Sequence, residues 1–140
     1  MAFTSAGITD PKIGVEGKFS LWFLAALSLA EGNVTLDKFT DEKVNDPLLK
    51  QLTKKVNATL VRELGLGARV AVKMKDGTVY RKAAKAPRGD PANPMSFAEV
   101  EDKFRDIAKE SISSTNIEQI IERTGCLEKL ISLEEIFSLL

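Results

Sequence analysis

The sequence contains no histidine among its 140 residues. Histidine is the commonest general base and the commonest metal ligand in proteins, and it activates the nucleophile of Ser-His and Cys-His pairs. The sequence also has no CxxC pair, no GxGxxG turn and no phosphate-binding loop. These absences argue against a self-sufficient enzyme, and we assign no catalytic residue and no metal ligand.

Cysteine is almost as scarce, because Cys126 is the only one. A single cysteine cannot form a disulfide within the chain. The first residues show no signal-peptide pattern either. Both features predict a protein of a reducing, cytoplasmic compartment.

The chain also lacks net charge, since 20 basic residues balance 20 acidic ones. A chain without net charge has no overall field that would draw it to nucleic acid or to an acidic membrane surface. Aromatic residues make up only 6% of the sequence, too few to suggest a platform for stacking bases. We therefore expect no nucleic-acid partner and no membrane partner.

The longest apolar run lies within Gly17–Gly32, where every residue of the stretch Leu21–Ala30 except Ser28 is apolar. A helix that is apolar on most of its circumference is typical of a protein core. The run is shorter than the roughly 20 apolar residues that cross a bilayer. Ser20 is suited to cap the start of this helix and Gly32 to end it. We predict a buried helix around which the rest of the chain packs.

A β-hairpin is predicted farther along. Residues Arg69–Lys75 alternate basic and apolar side chains, which indicates a half-buried strand. Asp76-Gly77 favours a two-residue type I′ turn, after which Thr78–Ala83 returns antiparallel. That turn would pair Met74 with Val79 and place both on the core side.

Other elements follow from local signals. Lys55–Val61 has a moderate strand pattern, and Asp46-Pro47 combines an N-cap with a first-position proline at the start of a short helix. Capping boxes at Ser96–Glu99, Thr115–Glu118 and Ser132–Glu135 predict three C-terminal helices.

The fold class expected from these elements is α+β. We predict a small antiparallel sheet with a central hairpin, packed against a buried N-terminal helix and C-terminal helices. Residues 1–16, which mix glycine, proline and small polar side chains, form an irregular lead-in. Residues 17–140 form a single α+β domain.

Two interpretations stay open for the basic residues Lys82, Lys85 and Arg88, which lead into the proline-rich loop of residues 87–96. They hold a carboxylate or a phosphate, or they are a solvated strand end before a stiff connection.

Four motifs stand in a characteristic order along the chain. The first is the string GVEGKFSLWFLAALSLAEGNVTLDKFTDEKVNDPLL of Gly14–Leu49. MKDG at Met74–Gly77, the GDPANP loop at Gly89–Pro94 and a helix with Lys103-Phe104-Arg105 follow in order. This order resembles the C-terminal domain of the MmgE/PrpD family, which includes 2-methylcitrate dehydratase, cis-aconitate decarboxylase and iminodisuccinate epimerase. The resemblance covers the chain from about Gly14 onward.

This resemblance implies different roles for two domains of the whole protein. In the family, a large helical N-terminal domain supplies most catalytic groups, including histidine, and a smaller α+β lid closes over the active site. The substrates are small di- and tricarboxylic acids, which undergo dehydration, decarboxylation or epimerisation without a metal or organic cofactor. The chain is therefore expected to be such a lid, inactive alone, with the helical domain on a separate or missing segment.

The resemblance also implies candidate substrate-binding residues. Lys18 and Ser20 match the family's KFSLxY pattern, and Phe23 stands where that pattern has tyrosine, so its hydroxyl is absent. Arg88 is a further candidate. Against these roles, Ser20 is explained equally well as a helix cap and Lys18 as a solvated flank.

A second function of another class stays open, namely a non-catalytic binding or dimerisation module that reuses this fold. The resemblance places one more strand upstream of Met1, so the sheet would have an unpaired edge. We also expect a homo-oligomer.

Overall fold

The computed structural model describes residues 6–140. Residues 1–5 of the predicted lead-in lie outside this range. The chain forms two compact units, of which one ends at Pro87 and the other comprises Arg88–Leu140. Helices together with a two-stranded antiparallel sheet confirm the α+β class.

The first unit contains a cluster of helices followed by a hairpin. Its elements are α1 (Gly14–Gly17), α2 (Leu21–Glu31), a 3₁₀ turn (Leu36–Lys38), α3 (Asp41–Val44), α4 (Pro47–Thr53), a second 3₁₀ turn (Arg62–Leu64), β1 (Ala68–Lys73) and β2 (Val79–Ala84).

Helix α2 begins and ends at the predicted residues. The Ser20 hydroxyl accepts the Phe23 N–H at 3.0 Å, and Gly32 ends the helix at φ 77° while donating its N–H to the Ser28 carbonyl. A left-handed φ of this kind favours glycine. The burial is one-sided, however, because Leu29 is 55% exposed. The helix supplies the core residues Phe23, Ala26 and Leu27, as predicted, but only one side of it is buried.

The core of the first unit lies where α2 meets α3 and α4. Phe23, Leu27, Val44 and Leu49 are buried together, and Phe39 packs against them. Asp46 caps α4 by accepting the N–H groups of the next helical residues, as its pairing with proline predicts.

The lead-in is tied to α2 by backbone hydrogen bonds. Ile8 donates its N–H to the Phe19 carbonyl, and Leu21 donates to Ala6. Gly14 is packed so closely that an added Cβ would lie 2.0 Å from the Phe39 carbonyl oxygen. Any side chain at that position would displace the backbone.

The predicted strand at Lys55–Val61 is absent. Residues 54–55 form a turn after α4, residues 56–61 are irregular, and a 3₁₀ turn begins at Arg62. Leu60 and Val61 are 49% and 42% exposed. Alternation alone does not make a strand, because a strand also needs a neighbour to receive its hydrogen bonds, and the described chain places none beside this segment.

The hairpin forms with a different turn. Met74 donates its N–H to the Thr78 carbonyl at 2.8 Å, and Gly77, at φ 88°, donates to Met74 at 3.1 Å. No described residue other than glycine has a positive φ, so Asp76 does not adopt the conformation that a type I′ turn requires. Its carboxylate accepts the Thr78 N–H at 2.8 Å instead.

The three-residue loop shifts the register by one residue. Lys73 pairs with Val79, and Val72 pairs with Tyr80, so the predicted pairing of Met74 with Val79 is wrong. Directly paired residues share a face of an antiparallel sheet. One face, here called the apolar face, therefore carries Ala68, Val70, Val72, Tyr80, Lys82 and Ala84. The opposite face, here called the cationic face, carries Arg69, Ala71, Lys73, Val79, Arg81 and Ala83.

Neither face of the hairpin is buried. Val70 is 56% exposed and Tyr80 is 63% exposed, and only Val72 and Val79 are partly covered. The prediction of a half-buried strand is thus wrong for the residues that the structure describes. The apolar side chains alternate as predicted, but no other element of the described residues packs over them.

The second unit consists of a turn followed by helices. In the loop, Gly89 donates its N–H to the Asn93 carbonyl and Asn93 donates to Asp90, which closes a tight turn. The helical elements are α5 (Phe97–Ala108), α6 (Ser114–Gly125), a 3₁₀ turn (Leu127–Lys129) and α7 (Glu134–Phe137).

The starts of these helices agree with the predicted caps to different degrees. The Ser96–Glu99 capping box is confirmed in full. The predicted box at Thr115 is wrong, because the hydroxyl of Ser113 accepts the Asn116 N–H and starts α6 earlier. At Ser132 the hydroxyl accepts the N–H of Glu134, one residue before the position that a complete box uses.

Candidate functional site

The candidate residues of the first unit lie around the start of α2. The ammonium nitrogen of Lys18 lies 5.8 Å from the centroid of the Phe39 ring. The Phe39 ring in turn contacts the Phe23 ring, with centroids 6.3 Å apart and planes tilted by 60°. A cation over a ring face is stabilised by about 0.5–1 kcal/mol at an exposed site. Lys18, Phe39 and Phe23 thus form one layered arrangement from surface to core, here called the lysine–phenylalanine stack.

Ser20 lies beneath the surface at this position. Its exposure is 0%, and its hydroxyl is engaged as the acceptor of the Phe23 N–H. Two further amides at this helix start are also occupied, since Leu21 donates to Ala6 and Leu24 donates to Ser20. The helix start therefore uses these N–H groups within the chain, and the side chain of Lys18 is the exposed polar group.

Phe23 is part of the core. It is 1% exposed, and an added Cβ on Gly17 would lie 3.1 Å from its ring. The absence of side chain at Gly17 lets the KFS turn approach the ring closely. The missing tyrosine hydroxyl would therefore stand among packed carbon atoms in this chain.

Arg88 belongs to the second unit. Its guanidinium forms a short ion pair with the carboxylate of Glu99. Hydrogen bonds from Ser96 are the main cause that lowers the pKa of Glu99, and Arg88 adds to the effect. Arg88 is therefore engaged with the capping box at the start of α5.

The structure thus brings Lys18, Ser20 and Phe23 together around one helix start. Of these, Lys18 presents its charge at the surface, whereas Ser20 and Phe23 support it from within.

A shallow pocket of about 290 Å³ lies beside this region and was not predicted from the sequence. The Asp10 carboxylate accepts hydrogen bonds from the ammonium groups of Lys12 and Lys50. These hydrogen bonds lower the pKa of Asp10 to about 2. Lys50 also donates to the Pro11 carbonyl at 2.7 Å. The lining residues are Thr9, Asp10, Trp22, Lys50, Thr53, Lys54 and Val56. The charges at Asp10 are already paired, so their evident role is to fasten the lead-in to α4.

Residues 6–140 contain neither a metal site nor a membrane span. No group of three or more His, Cys, Asp or Glu side chains in this range is arranged to hold a metal ion. No helix in the same range is long and apolar enough to cross a membrane.

The family model of the MmgE/PrpD C-terminal domain matches residues 2–129. The chain belongs to the MmgE/PrpD family, as the resemblance of its motifs predicted. The match begins within the lead-in, so it covers more of the chain than those motifs do.

Curated relatives of the chain are cis-aconitate decarboxylases. The mouse (Mus musculus) enzyme is 27% identical over 86% of this chain and 25% of its own length. The human (Homo sapiens) enzyme is 27% identical over 82% of this chain and 25% of its own length. The cis-aconitate decarboxylase-like protein oryM of Aspergillus oryzae is 25% identical, over 93% of this chain and 28% of its own length. The chain spans about a quarter of the length of the curated relatives it matches.

Proposed function

We propose that this chain is the lid domain of an MmgE/PrpD-type lyase or isomerase that acts on a small di- or tricarboxylic acid. The observation that carries the proposal is the family match over residues 2–129, which assigns the chain to the C-terminal domain. The names of the relatives point to cis-aconitate as the first substrate to test, ahead of 2-methylcitrate. The general acids and bases come from a helical N-terminal domain on another segment, because this chain has no histidine.

Exposed apolar surface supports the role of a lid. Leu29 on α2, together with Val70 and Tyr80 on the hairpin, is more than half exposed. Exposed apolar side chains of this kind are suited to packing against another protein surface. A helical domain that covers them would complete the core that α2 only half closes.

Lys18 is the proposed contact for a substrate carboxylate. Its charge is exposed and is held in place by the ring of Phe39. A cation in a site that excludes water binds a carboxylate strongly and orients it for reaction at the neighbouring carbon. Ser20 and Phe23 act as positioning residues behind Lys18. Arg88 is a second candidate, and it binds substrate only by exchanging Glu99 for a substrate carboxylate.

Co-expression with the helical domain tests the proposal. The helical domain is taken from the sequence upstream of the chain or from a neighbouring reading frame. We expect the two to co-purify as one complex that turns over cis-aconitate or 2-methylcitrate, while the chain alone is inactive. Turnover by the chain alone, or a helical domain that does not bind it, would overturn the proposal.

A second candidate function is a non-catalytic dimerisation module, and the exposed hairpin favours it. A stable homodimer that forms without any helical partner and leaves no surface for one would support this function. In either case we propose a cytoplasmic protein that forms homo-oligomers and needs no cofactor.

A further inference from the structure

A hydrogen bond between two distant residues connects the two segments that form the lysine–phenylalanine stack. The carboxylate of Asp41 accepts the N–H of Gly14 at 2.7 Å. Gly14 is the first residue of α1, and Lys18 directly follows the last one. Asp41 stands two residues after Phe39, whose ring lies under the ammonium group of Lys18. The hydrogen bond therefore joins the segment that carries the cation to the segment that carries the ring.

Helix α1 links the position of Lys18 to that of Gly14. The helix is a single turn, in which Gly17 donates its N–H to the Ile13 carbonyl at 3.3 Å and Lys18 donates to Val15 at 3.2 Å. Hydrogen bonds within one turn hold the backbone of a helix together. A displacement of Gly14 would therefore displace the backbone of Lys18 as well.

The start of α1 is packed directly on the backbone of the other segment. Gly14 is buried, and an added Cβ would overlap the carbonyl group of Phe39 and lie 3.0 Å from the carbonyl carbon of Thr40. Backbone packed this closely can move only away from Phe39. The hydrogen bond to Asp41 opposes that movement.

The N–H of Gly14 depends on Asp41 for its acceptor. The first N–H groups of a helix have no acceptor within that helix. Ile13, the residue before α1, makes no capping hydrogen bond with its side chain, and the carboxylate of Asp41 takes this role from 27 positions along the chain. Removal of the carboxylate would leave a buried donor unpaired, which favours movement of α1 toward water.

Asn45 makes a second connection between the same two segments. Its side-chain amide donates one hydrogen bond to the carbonyl of Lys12 at 2.9 Å and another to the carbonyl of Asp41 at 2.7 Å. An amide nitrogen has two N–H donors, so both are used. Residues 12 and 14, on either side of the start of α1, are thus both held by α3 and the residue that follows it.

We propose that Asp41 is a positioning residue for Lys18 and that Asn45 supports it. Together they hold α1 against the segment of Phe39, so that the ammonium group stays over the ring and meets a substrate carboxylate in one orientation. This role rests on the proposed function, in which Lys18 binds the substrate. The contact between Lys18 and Phe39 exists in the chain alone, so it is tested without a helical domain.

Nuclear magnetic resonance of the chain alone tests whether Asp41 maintains this contact. The ε-methylene protons of a lysine over an aromatic ring are shifted upfield by the ring current, relative here to Phe39→Leu, which has no ring. We expect Asp41→Ala to reduce the upfield shift of Lys18. Asp41→Asn, which keeps an oxygen acceptor, should retain most of it. Glu42→Ala removes an exposed carboxylate from the next position of α3 and, as the matched control, should leave the shift unchanged.

The shift separates positioning from stability, because a variant that is only less stable keeps the contact in its folded molecules. Circular dichroism shows which variants are folded. Asn45→Ala keeps the carboxylate of Asp41 and should reduce the shift by a smaller amount. An unchanged shift in folded Asp41→Ala would overturn the proposal, as would an equal reduction in Glu42→Ala. Where Asp41→Ala does not fold, an unchanged shift in Asn45→Ala overturns it.

Steady-state kinetics of the assembled enzyme test whether this position matters to the substrate. We expect Asp41→Ala to raise KM for cis-aconitate with little change in kcat, by no more than the about tenfold rise expected for Lys18→Met. In the Lys18→Met background, Asp41→Ala should raise KM no further, because the charge that it positions is absent.

The kinetic outcomes distinguish this role from the proposed function. An unchanged KM in Asp41→Ala, or a further rise of KM in the Lys18→Met background, would contradict the role of Asp41. Absence of turnover in an assembly with the original chain would count against the proposed function alone. The resonance shift of Lys18 would then still decide whether Asp41 positions it.

Discussion

The ammonium group of Lys18 lies over the ring of Phe39, 5.8 Å from its centroid. The two residues are far apart in sequence, and their contact joins the turn before α2 to the segment before α3. Phe39 in turn rests on buried Phe23, so the position of the charge depends on the core. A surface cation that is held by the core is suited to bind a ligand in one orientation.

Removal of this charge is expected to weaken substrate binding. In the assembled enzyme, Lys18→Met keeps the length of the side chain and its packing on Phe39 but removes the ammonium group. We expect KM to rise about tenfold, the effect of losing one hydrogen bond to a charged group, with little change in kcat. Steady-state kinetics on cis-aconitate measure both values. Lys55→Met is the matched control, and an equal rise of KM in that variant would contradict the assigned role.

Phe23 is expected to contribute packing and no hydroxyl chemistry. Phe23→Ala should lower the free energy of unfolding of the first unit by about 3–5 kcal/mol, as for other buried phenylalanines. Trp22, the only tryptophan, reports this unfolding by fluorescence in urea. The control Leu29→Ala, at a 55% exposed position of the same helix, should have a much smaller effect.

A hydroxyl added at the same position is a sharper test. Phe23→Tyr places a polar group among packed carbon atoms, and an unpaired buried hydroxyl costs about 1–3 kcal/mol. We expect a lower free energy of unfolding and no gain in turnover of the assembled enzyme. Increased turnover with unchanged stability would show that the position faces substrate directly.

The ion pairs of Asp10 predict a dependence of stability on pH. Because Lys12 and Lys50 lower the folded pKa of Asp10 from 3.8 to about 2, the ionised carboxylate stabilises the folded state. This contribution is complete above the unfolded pKa and is lost as the pH falls toward 2. Asp10→Asn should therefore lower the urea midpoint at pH 7, with the difference shrinking between about pH 4 and about pH 2. Glu63→Gln, an exposed control, should change neither midpoint, and a difference for Asp10→Asn that persists at pH 2 would contradict the assigned ion pairs.

Gly77 supplies the left-handed backbone conformation that the hairpin turn needs. At φ 88° an added Cβ would meet no atom within 4 Å, so Gly77→Ala changes only the backbone preference. We expect a loss of about 1–2 kcal/mol from the hairpin, measured as faster hydrogen exchange of the Met74 amide. Gly125→Ala, in a helical conformation with open space around it, should be neutral or stabilising. Equal effects at the two glycines would show that the turn does not depend on a left-handed residue.

Helix starts and ends were the most predictable features, because they depend on a few adjacent residues. The serine hydroxyl of Ser20, the glycine at residue 32 and the Asp46-Pro47 pair each satisfy local backbone groups wherever the rest of the chain lies. The Ser113 cap was missed because two serines and a threonine compete within three residues, and only the packing of α6 selects among them.

Features that depend on distant residues were not predictable. Asp76-Gly77 suits both a two-residue and a three-residue turn, and the hydrogen bond from Thr78 to the Asp76 carboxylate selects the second. The strand predicted at Lys55–Val61 does not form, because no neighbouring strand in the described chain is placed to pair with it. No pattern of neighbouring residues indicates the contact of Lys18 with Phe39. The KFSLxY motif therefore identified Lys18 as a candidate but did not show which residue holds its side chain.

The most direct test of the central claim is a titration of the purified helical domain with this chain, in which cis-aconitate turnover is measured at each ratio. A lid that completes the active site predicts no turnover from either component alone and a rate that rises until the two are equimolar. Lys18→Met should reach the same stoichiometry with a higher KM. Full activity of the helical domain without this chain, or no activity at any ratio, would contradict the account.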